Sequence, residues 1–556
     1  MDNSATVELA QEHFLKFLTH FQVSFERLDL LEQVEEKKEE KAEKKGAEKK
    51  GEKGEKEKEV NLLGIEAKKS ADFSGWYQEV IVKSGLIDYY DVSGCYILRP
   101  WAYSIWEKIQ AFFDKLIKAN GVENAYFPMF VSRKSLEIEK DHVEGFAPEV
   151  AWVTKSGSSD LAEPIAIRPT SETIMYPAYA NWIKSHRDLP LKLNQWTNIV
   201  RWEFKHPTPF IRTREFLWQE GHTAHATFQE AEVEMFDNLE FYYRVYKEVL
   251  AVPVCKGIKT ESEKFPGGYK TSTVETWIPE NGRAIQAATS HNLGQNFAKM
   301  FSIEFEDEKK EKKLVWQTSW GLTTRSIGIM TMYHGDDKGL VLPPRVANVQ
   351  VIIIPIPFKG KEQDVVKAAT ALHDLLKKTD IRVQIDSRDN YNPGWKFNHW
   401  ELKGVPIRLE LGPKDIENQE ARVVLRYNGE KLQIKWAQLE KELPVLLEKI
   451  QESMYERAVQ RFNDKAKQAA NWQDFMTHLN SRNVVLTPWC EIKECEEKVK
   501  ERSGIETKEL AAEGENHLTG QAKTLCVPLS YEPLTGEKCF HCGEQAKVRV
   551  YWGRSY

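Results

Sequence analysis

One segment divides this chain into parts that must fold separately. Residues 35–59 contain ten glutamates, ten lysines, three glycines and two alanines, and no large apolar side chain. Because such a segment cannot bury enough apolar surface to offset its lost conformational entropy, it predicts a linker, part helix and part coil. A solvated spacer is the favoured interpretation, and a lysine-rich helix that contacts RNA is the alternative. The linker separates a short N-terminal piece from a long globular part.

Length and composition limit the classes of protein to which the chain can belong. At about 150 residues per domain, 556 residues predict three or four domains, and 41% hydrophobic side chains exclude a wholly disordered protein. The net charge of −6 disfavours a protein that coats nucleic acid. No apolar run reaches the roughly 18 residues that span a bilayer, so we expect no membrane contact. Asp2, Glu8 and Glu12 interrupt any leader sequence, which predicts a cytoplasmic location.

Composition and hydrophobic pattern divide the chain into five expected regions. Apolar side chains at helical spacing predict an N-terminal helical extension, and the segment rich in Trp, Tyr and Pro predicts a large domain. Strands that alternate with helices between Val349 and Tyr427 predict a small α/β domain with a partly parallel sheet. The stretch from Leu439 to Phe475 is predicted to be helical. The boundaries are 1–34 for the extension, 35–71 for the linker, 72–345 for the large domain, 346–450 for the α/β domain and 451–556 for a cysteine-bearing region.

Common nucleotide and metal motifs are missing from the sequence. The run Gly267-Gly-Tyr-Lys-Thr-Ser has the wrong spacing for a phosphate-binding loop and predicts a turn. His222 and His225 would suit a metal only with a third ligand, so structural roles are favoured for both. Neither pattern therefore predicts a site.

An arginine and a glutamate stand out in a predicted hairpin. A strand that starts near Asn198 runs into a proline-rich loop, and a second strand returns from Phe210, which would present Arg201 and Glu203 on one face. An arginine there can bind phosphate oxygens with two parallel hydrogen bonds, and a neighbouring glutamate can face an amine or an adenine. A surface hairpin with cross-strand ion pairs is the other interpretation. Composition alone favours that second interpretation.

Several stretches around this hairpin resemble a known family. Arg201-Trp-Glu, a loop and Arg212-Thr-Arg-Glu-Phe resemble motif 2 of class II aminoacyl-tRNA synthetases. The run from Gly121 to Arg133 resembles the dimer-forming motif 1, and Trp320-Gly-Leu-Thr-Thr-Arg-Ser-Ile-Gly resembles motif 3. Three further runs are similar to stretches of the prolyl enzymes: Arg168-Pro-Thr-Ser-Glu-Thr, Thr289-Ser-His-Asn-Leu-Gly-Gln-Asn-Phe and the C-terminal Gly-Arg-Ser-Tyr. Because these runs occur in the family's order over 72–556, the chain is identified as a member of the eukaryote-like (also archaeal) prolyl-tRNA synthetases.

This resemblance implies a fold and a reaction. The implied fold is α/β and multidomain: an antiparallel-sheet catalytic domain flanked by helices, an α/β anticodon-binding domain and a C-terminal α+β zinc-binding domain. The implied reaction activates L-proline with ATP to prolyl-adenylate and transfers the prolyl group to the 3′ end of tRNA-Pro. Mg²⁺ is expected with the nucleotide and Zn²⁺ as a structural ion. A homodimer is expected, and a tether from the N-terminal extension to other synthetases stays open.

The resemblance also carries roles to single residues. Arg201 is expected to hold the α-phosphate and the proline carboxylate, Arg325 to pair with the γ-phosphate, and Glu203 to lie near the adenine or the arginines; these three are the expected catalytic residues. The expected ATP contacts are Arg201, Glu203, Arg212, Thr213, Gln286, Thr289, Thr323 and Arg325. The expected proline contacts are Phe146, Thr170, Glu172, Arg201, Phe216, Trp218, Glu220 and His291. By residue type alone, core packing would be the favoured interpretation of Phe146, Phe216 and Trp218.

Four cysteines form two spaced pairs near the C-terminus. Cys490 and Cys495 are followed, 43 residues later, by Cys539 and Cys542. Two close pairs joined by a long connection suit a tetrahedral zinc site with four thiolate ligands. Four unpaired buried thiols are the alternative, and His541 is a possible substitute ligand. The resemblance implies that zinc has a structural role here, and it places Tyr556 near the active site.

The short distance between motifs 2 and 3 bears on whether this chain can proofread. About 95 residues separate Glu220 from Val315, which leaves no room for the editing domain that bacterial relatives insert between motifs 2 and 3. We therefore expect no cis-editing. Because a ligand that lacks one methylene loses only ~1–3 kcal/mol of binding free energy, we also expect some activation of alanine and cysteine.

A catalytically silent paralogue and a zinc-ribbon interaction protein are the competing hypotheses. The presence of Arg201, Glu203 and Arg325 favours an enzyme.

Overall fold

The computed structural model describes residues 64–136, 150–203, 206–358, 360–512 and 520–556. The expected helical extension at 1–34, the charged segment 35–59 and Phe146 lie outside the described residues. The last residues of the expected linker are described, and there the Lys69 ammonium donates to the Gly335 carbonyl at 2.8 Å. In the part of the chain that the structure describes, no helix combines the length and apolarity that a membrane crossing requires.

The elements up to Trp182 form the first part of the large domain. Helix α2 buries Ile105, Ile109 and Phe113, which recur every four residues on one face, so this amphipathic helix packs against the domain core. Strands β1 and β2 form a hairpin, and β4, β6 and β5 form a small antiparallel sheet in that order. The elements are α1 (Phe73–Lys83), β1 (Ile87–Tyr89), β2 (Tyr96–Leu98), α2 (Pro100–Ala119), β3 (Glu123–Asn124), β4 (Phe130–Ser132), β5 (Trp152–Ser156), β6 (Ser159–Ile167) and α3 (Glu172–Trp182).

The catalytic sheet follows. Helix α4 begins with a capping box, in which the Thr227 hydroxyl accepts from the Glu230 amide at 3.2 Å and the Glu230 carboxylate accepts from the Thr227 amide at 3.0 Å. The elements are a 3₁₀ turn (His186–Asp188), β7 (Leu191–Val200), β8 (Glu215–His225), α4 (Phe228–Arg244), a π turn (Val245–Val249), β9 (Cys255–Ile258), β10 (Lys270–Trp277), β11 (Arg283–Gly294), α5 (Asn296–Phe301), β12 (Glu304–Glu306), β13 (Lys312–Leu314), β14 (Trp316–Thr323) and α6 (Arg325–His334).

The predicted α/β domain is confirmed as a five-stranded sheet covered by helices. Its order is β16-β15-β17-β18-β19, with β16, β15 and β17 parallel and the other pairings antiparallel. The elements are β15 (Val351–Pro355), α7 (Glu362–Leu376), β16 (Val383–Ile385), α8 (Pro393–Leu402), β17 (Ile407–Leu411), α9 (Pro413–Glu417), β18 (Glu420–Leu425), β19 (Lys431–Lys435) and α10 (Trp436–Lys465).

The helical prediction for Leu439 to Phe475 is wrong in its middle. Helix α10 ends at Lys465, and a short strand pairs in parallel with a later strand before the next helix begins at Trp472. Tertiary strand pairing overrides the local helical pattern there. The C-terminal elements are β20 (Ala466–Gln468), α11 (Trp472–Asn480), β21 (Val484–Trp489), α12 (Lys493–Ala512), β22 (Lys523–Pro528) and β23 (Val548–Ser555).

The catalytic and C-terminal strands belong to one continuous sheet. Its order in the described chain is β20-β21-β23-β22-β9-β10-β11-β14-β8-β7-β3. The junction is the antiparallel pairing of β22 with β9, where Val527 lies opposite Ile258. Helices α2, α4 and α6 bury one face of the catalytic strands, including Trp320 and Leu322. The opposite face therefore remains for a binding site.

Candidate active site

A cavity of about 320 Å³ lies on that opposite face. Thirteen of the fifteen side chains expected to contact ATP or proline line it: Thr170, Glu172, Arg201, Glu203, Thr213, Phe216, Trp218, Glu220, Gln286, Thr289, His291, Thr323 and Arg325. Arg212 lines a neighbouring cavity of about 210 Å³ that also touches Gln286 and Arg325. Phe146, the remaining predicted contact, lies outside the described residues.

Strand geometry explains how residues so far apart in sequence meet. On β8, Phe216, Trp218 and Glu220 alternate with residues of the other face, so all three point into the cavity. Strand register then sets Trp218 opposite Thr323 of β14 and Thr289 of β11 opposite Gly321. The antiparallel sheet thus collects side chains from three separate sequence motifs.

The hairpin prediction is correct in pairing two strands, but the second strand begins at Glu215 and not at Phe210, and Arg201 and Glu203 do not lie on a strand. Strand β7 ends at Val200, which pairs with Glu215, so both residues lie in the loop beyond the strand. Both side chains nevertheless line the cavity. The Arg201 Nε donates to the Pro169 carbonyl at 2.9 Å, and its guanidinium lies 5.5 Å from the Trp218 ring centre. A backbone contact and an aromatic face, not strand alternation, orient this arginine.

Arg325 is held in the same way at the start of α6. Its Nε donates to the Ile211 carbonyl and its Nη1 to the Gln286 carbonyl, both at 3.1 Å. Because carbonyl groups carry no formal charge, these bonds orient the guanidinium without neutralising it. Arg212 donates to a main-chain oxygen of Tyr556, the last residue, beside the same cavity wall. This end of the cavity can bind an anion.

The other end is built around a buried carboxylate, Glu220. The Ser171 hydroxyl and the Gln195 amide donate to its Oε1 at 2.5 and 2.6 Å, and the His222 Nε2 lies 3.1 Å from its Oε2. Burial raises the pKa of Glu220, but the hydrogen bond and charge of His222 and the two other donors outweigh it, so the pKa lies below its ordinary value. Nearby, the Thr170 hydroxyl donates to the buried Glu172 carboxylate. Fixed negative charge here suits a cationic group.

The aromatic rings of two side chains form the wall of this end. The His291 Nδ1 lies 2.9 Å from the Thr271 hydroxyl, and its ring centre lies 4.7 Å from that of Phe265. Burial lowers the pKa of His291 to about 3, so the imidazole is neutral at pH 7. Sequence reasoning missed Phe265 because it lies in a loop without a motif. It also gave His222 only a structural role, and no local signal showed that this histidine would lie against Glu220.

The four predicted cysteine ligands come together in the C-terminal domain. Their Sγ atoms lie within 4.8 Å of one another, with Cys495 to Cys539 at 3.8 Å and Cys490 to Cys542 at 3.6 Å. Zinc–sulfur bonds of about 2.3 Å place tetrahedral thiolates about 3.8 Å apart, so the donor set fits a zinc ion. The His541 Nδ1 lies 3.4 Å from the Cys495 sulfur, at the rim of this thiol cluster.

Comparison with protein families matches this architecture region by region. Residues 152–334 match the tRNA synthetase class II core domain (G, H, P, S and T), and residues 350–446 match an anticodon binding domain. Residues 472–556 match the prolyl-tRNA synthetase C-terminal domain. The sheet and its cavity therefore define a class II aminoacyl-tRNA synthetase.

Individual relatives resolve the family within that class. The cytoplasmic proline–tRNA ligase of Arabidopsis thaliana is 56% identical over 507 residues, which cover 90% of this chain and 93% of the relative. The bifunctional glutamate/proline–tRNA ligase of Cricetulus griseus is 54% identical, over 90% of this chain and 33% of that protein. A crystal structure of Cryptosporidium parvum prolyl-tRNA synthetase, complexed with halofuginone and AMPPNP, aligns with a TM-score of 0.85 and 58% identity, over 89% of this chain and all of that one. The chain belongs to the prolyl-tRNA synthetase family, of the eukaryotic type.

Proposed function

We propose that the cavity binds ATP and L-proline side by side and catalyses both steps of proline–tRNA ligation. In the first step a carboxylate oxygen of proline attacks the α-phosphorus of ATP, and pyrophosphate leaves. In the second step the 3′-terminal ribose hydroxyl of tRNA-Pro attacks the prolyl carbonyl carbon, and AMP leaves. The observation that carries this proposal is a single cavity, with arginines held by main-chain carbonyls at one end and buried carboxylates at the other.

The anion-binding end is assigned to ATP. Attack of one anion on another requires that charge on the phosphate oxygens be neutralised, so catalysis depends on positioning and electrostatics. Arg201, between the two ends, contacts the α-phosphate and the proline carboxylate, and Arg325 contacts the γ-phosphate. Glu203 and Arg212 complete the nucleotide site, with Thr213, Gln286, Thr289 and Thr323 along its walls. Mg²⁺ bound with the nucleotide would neutralise further phosphate charge.

The carboxylate end is assigned to proline. Glu172, with Thr170, accepts hydrogen bonds from the secondary ammonium, and Glu220 adds a second negative charge below it. Phe216, Trp218 and the neutral His291 pack against the pyrrolidine ring, and Phe146 is proposed for the same wall. No general base is needed in the first step because the substrate carboxylate is ionised at pH 7.

Proline-dependent exchange of pyrophosphate into ATP tests the proposal. We expect exchange with purified chain and proline, with alanine and cysteine weaker in parallel assays. No exchange with any amino acid, from folded protein with its full zinc content, would contradict the enzyme and favour a silent paralogue.

The cysteine cluster is proposed as a structural zinc site. Cys490 follows β21, Cys495 lies on α12, and Cys539 and Cys542 flank a turn before β23. One zinc ion would tie these three segments together and stabilise the fold of the domain. It lies outside the substrate cavity and supplies no reactive group there.

A homodimer is proposed through the face next to β3, an end strand of the large sheet. Tyr126, Phe130, Trp152 and Trp182 are all exposed there, and Tyr126 is 75% exposed. Exposed aromatic clusters beside a sheet edge are typical of protein interfaces. Sedimentation at micromolar concentration should give twice the chain mass of 64.4 kDa. Sedimentation as a monomer would contradict the dimer.

We propose that the domain at 346–450 binds the anticodon of tRNA-Pro. Lys396 of this domain is buried and its ammonium donates to the Asp386 carbonyl at 3.1 Å, so its role is structural. Arg388 pairs with the Asp386 carboxylate at 2.6 Å and lies over the ring of Trp395. Because Arg388 is partly exposed, it is the better candidate for a contact with tRNA.

Absence of proofreading is proposed as well. The described residues between Glu220 and Val315 belong to the catalytic sheet and its connections, without a separate inserted domain. Deacylation of mischarged Ala-tRNA-Pro by the purified chain should not exceed the buffer rate, and faster deacylation would contradict this. In the bifunctional glutamate/proline–tRNA ligase, a region similar to this chain makes up one third of a longer protein, which supports a tether of this chain to other synthetases. The Arabidopsis relative is a cytoplasmic proline–tRNA ligase, which supports a cytoplasmic location for this chain.

A further inference from the structure

One loop of the cavity wall is attached to the zinc-binding domain. Residues 259–269 connect β9 to β10, and Glu263, Lys264 and Phe265 of this loop line the substrate cavity. Glu263 also lines the neighbouring cavity beside Arg212. The loop is therefore part of both walls, although it carries no family motif.

The attachment is an ion pair with helix α12. The Lys500 ammonium lies 2.7 Å from the Glu263 carboxylate, and both side chains are about four-fifths buried, with exposures of 20% and 22%. The Glu496 carboxylate, one helical turn earlier, lies 3.5 Å from the same ammonium and is almost fully buried. Burial lowers the pKa of Lys500, but the hydrogen bond and charge of Glu263 outweigh it and leave the pKa above its ordinary value. The lysine is charged throughout the neutral range.

A second contact fixes the start of the loop. The Thr260 hydroxyl lies 3.3 Å from the Glu496 carboxylate and 3.1 Å from the hydroxyl of Thr524, and Thr524 in turn donates to Glu496 at 2.6 Å. With the pairing of β9 and β22, these buried bonds hold the base of the loop rigidly. Further along the loop, the ion pair of Glu263 with Lys500 ties it to the C-terminal domain.

The loop carries this constraint to the amino-acid end of the cavity. The Phe265 amide donates to the Thr271 hydroxyl at 3.0 Å, and the same hydroxyl is hydrogen-bonded to His291. The Phe265 ring packs on the His291 ring. Only one residue, Lys264, separates Phe265 from Glu263 along the loop. A shift of Glu263 therefore moves the aromatic ring that closes the proline end.

We infer that Lys500 is a positioning residue for proline: through Glu263 it holds the loop in the conformation in which Phe265 closes the amino-acid end of the cavity. The inference rests on the proposed assignment of that end to proline. It makes the zinc-binding domain a determinant of amino-acid affinity, although none of the described residues of that domain lines the substrate cavity.

Steady-state exchange kinetics of the full chain test this inference with Lys500→Met, Glu263→Gln and the double variant. We expect the KM for proline to rise about fivefold or more in each single variant, because either change breaks the ion pair that holds the loop. The double variant should be no worse than either single one, and Lys500→Arg should restore most of the affinity. The KM for ATP and kcat should change by less than about twofold.

Lys508→Met is the matched control because Lys508 is exposed and lies two turns further along α12. Zinc content and melting temperature are measured for every variant. An unchanged KM for proline in Lys500→Met would overturn the inference, as would an equal rise in the KM for ATP or a loss of zinc that accounts for the effect. Wild-type exchange with proline in the same assay shows separately that the proposed function stands.

Discussion

The substrate cavity and the thiol cluster are held in place by different means. In the cavity, the protein itself orients each charged group: Arg201 on the Pro169 carbonyl, and Glu220 on Ser171 and His222. In the cluster, four sulfur atoms face one another within 4.8 Å. Ionised thiols at that separation repel one another unless a cation lies between them. A preformed site and a proposed metal site thus lie in one continuous sheet.

This difference separates activity from stability. Removing a charged group from the cavity should cost catalysis and leave the fold intact, because neighbouring hydrogen bonds still define the backbone. Removing the ion from the cluster should cost folding free energy and affect catalysis only through the loss of structure. The following predictions test that separation, from the largest expected effect to the smallest.

Zinc removal should have the largest effect. Structural zinc sites contribute on the order of 10 kcal/mol in small domains, so chelation should melt the region around Cys495 and Cys539 and lower the melting temperature by many degrees. Zinc content by mass spectrometry and thermal unfolding are measured before and after chelation, with Cys542→Ser as a second route. Cys95→Ser, outside the cluster, is the control. A chelated protein with an unchanged transition would show that the cluster does not depend on metal.

Arg201→Ala should reduce proline-dependent exchange about 100-fold or more, because this guanidinium is assigned to charge that develops in the transition state. The melting temperature should stay close to wild type. Arg422→Ala, at an exposed arginine of the anticodon-binding domain, should leave exchange unchanged. Activity of the Arg201 variant within twofold of wild type would contradict the assigned role.

Gly221→Ala tests whether the backbone of the cavity sheet is as rigid as its hydrogen bonds imply. A Cβ on Gly221 would lie 2.1–2.2 Å from atoms of the Trp320 ring, so the ring or the strand must move. We expect a loss of about 1–3 kcal/mol in the free energy of unfolding. Gly394→Ala, whose new Cβ would come no nearer than 3.4 Å to a flexible Asn392 side chain, should be close to neutral. Equal melting temperatures of both variants would show that the sheet yields easily.

The smallest expected effect is a pH dependence from His334. Burial lowers the pKa of this histidine to about 3, while the unfolded chain titrates near 6.5. The unfolded state therefore binds the proton first as pH falls, and stability is lost between about pH 6.5 and 3. His334→Gln should lose about 1 kcal/mol less than wild type between pH 7.5 and 5.5, measured by denaturant unfolding. The same loss in both proteins would assign the acid response elsewhere, for example to the thiol cluster.

The two regions also differ in what their sequences disclose. The grouping of the four cysteines was predictable because both pairs are short and their spacing is typical of a zinc site. The α/β domain was predictable for a similar reason: Ile407 to Leu411 is a strand by local pattern, and its observed bounds agree. Local signals of this kind need no knowledge of the rest of the fold.

Cavity residues lacked such signals. Thr289, Thr323 and Trp218 become neighbours only through strand register, which no local pattern fixes, so they were found by resemblance to the family's motifs. Phe265 and His222 belonged to none of the motifs that were matched and were missed as ligand-facing residues. The strand at residues 466–468 was missed because its pairing partner lies elsewhere in the chain. Non-local pairing, rather than weak propensity, sets this limit.

The junction of β22 with β9 limits how this chain can be divided. The anticodon-binding domain completes its own five-stranded sheet, so a homologous domain could be exchanged for it without opening a sheet elsewhere. A truncation before residue 466 would instead strip β9 of its neighbour and leave an unpaired edge beside the catalytic strands. Such an edge is a template for aggregation. Chimeras with foreign C-terminal domains should therefore keep β22 and β23 with the catalytic domain if they are to remain monodisperse.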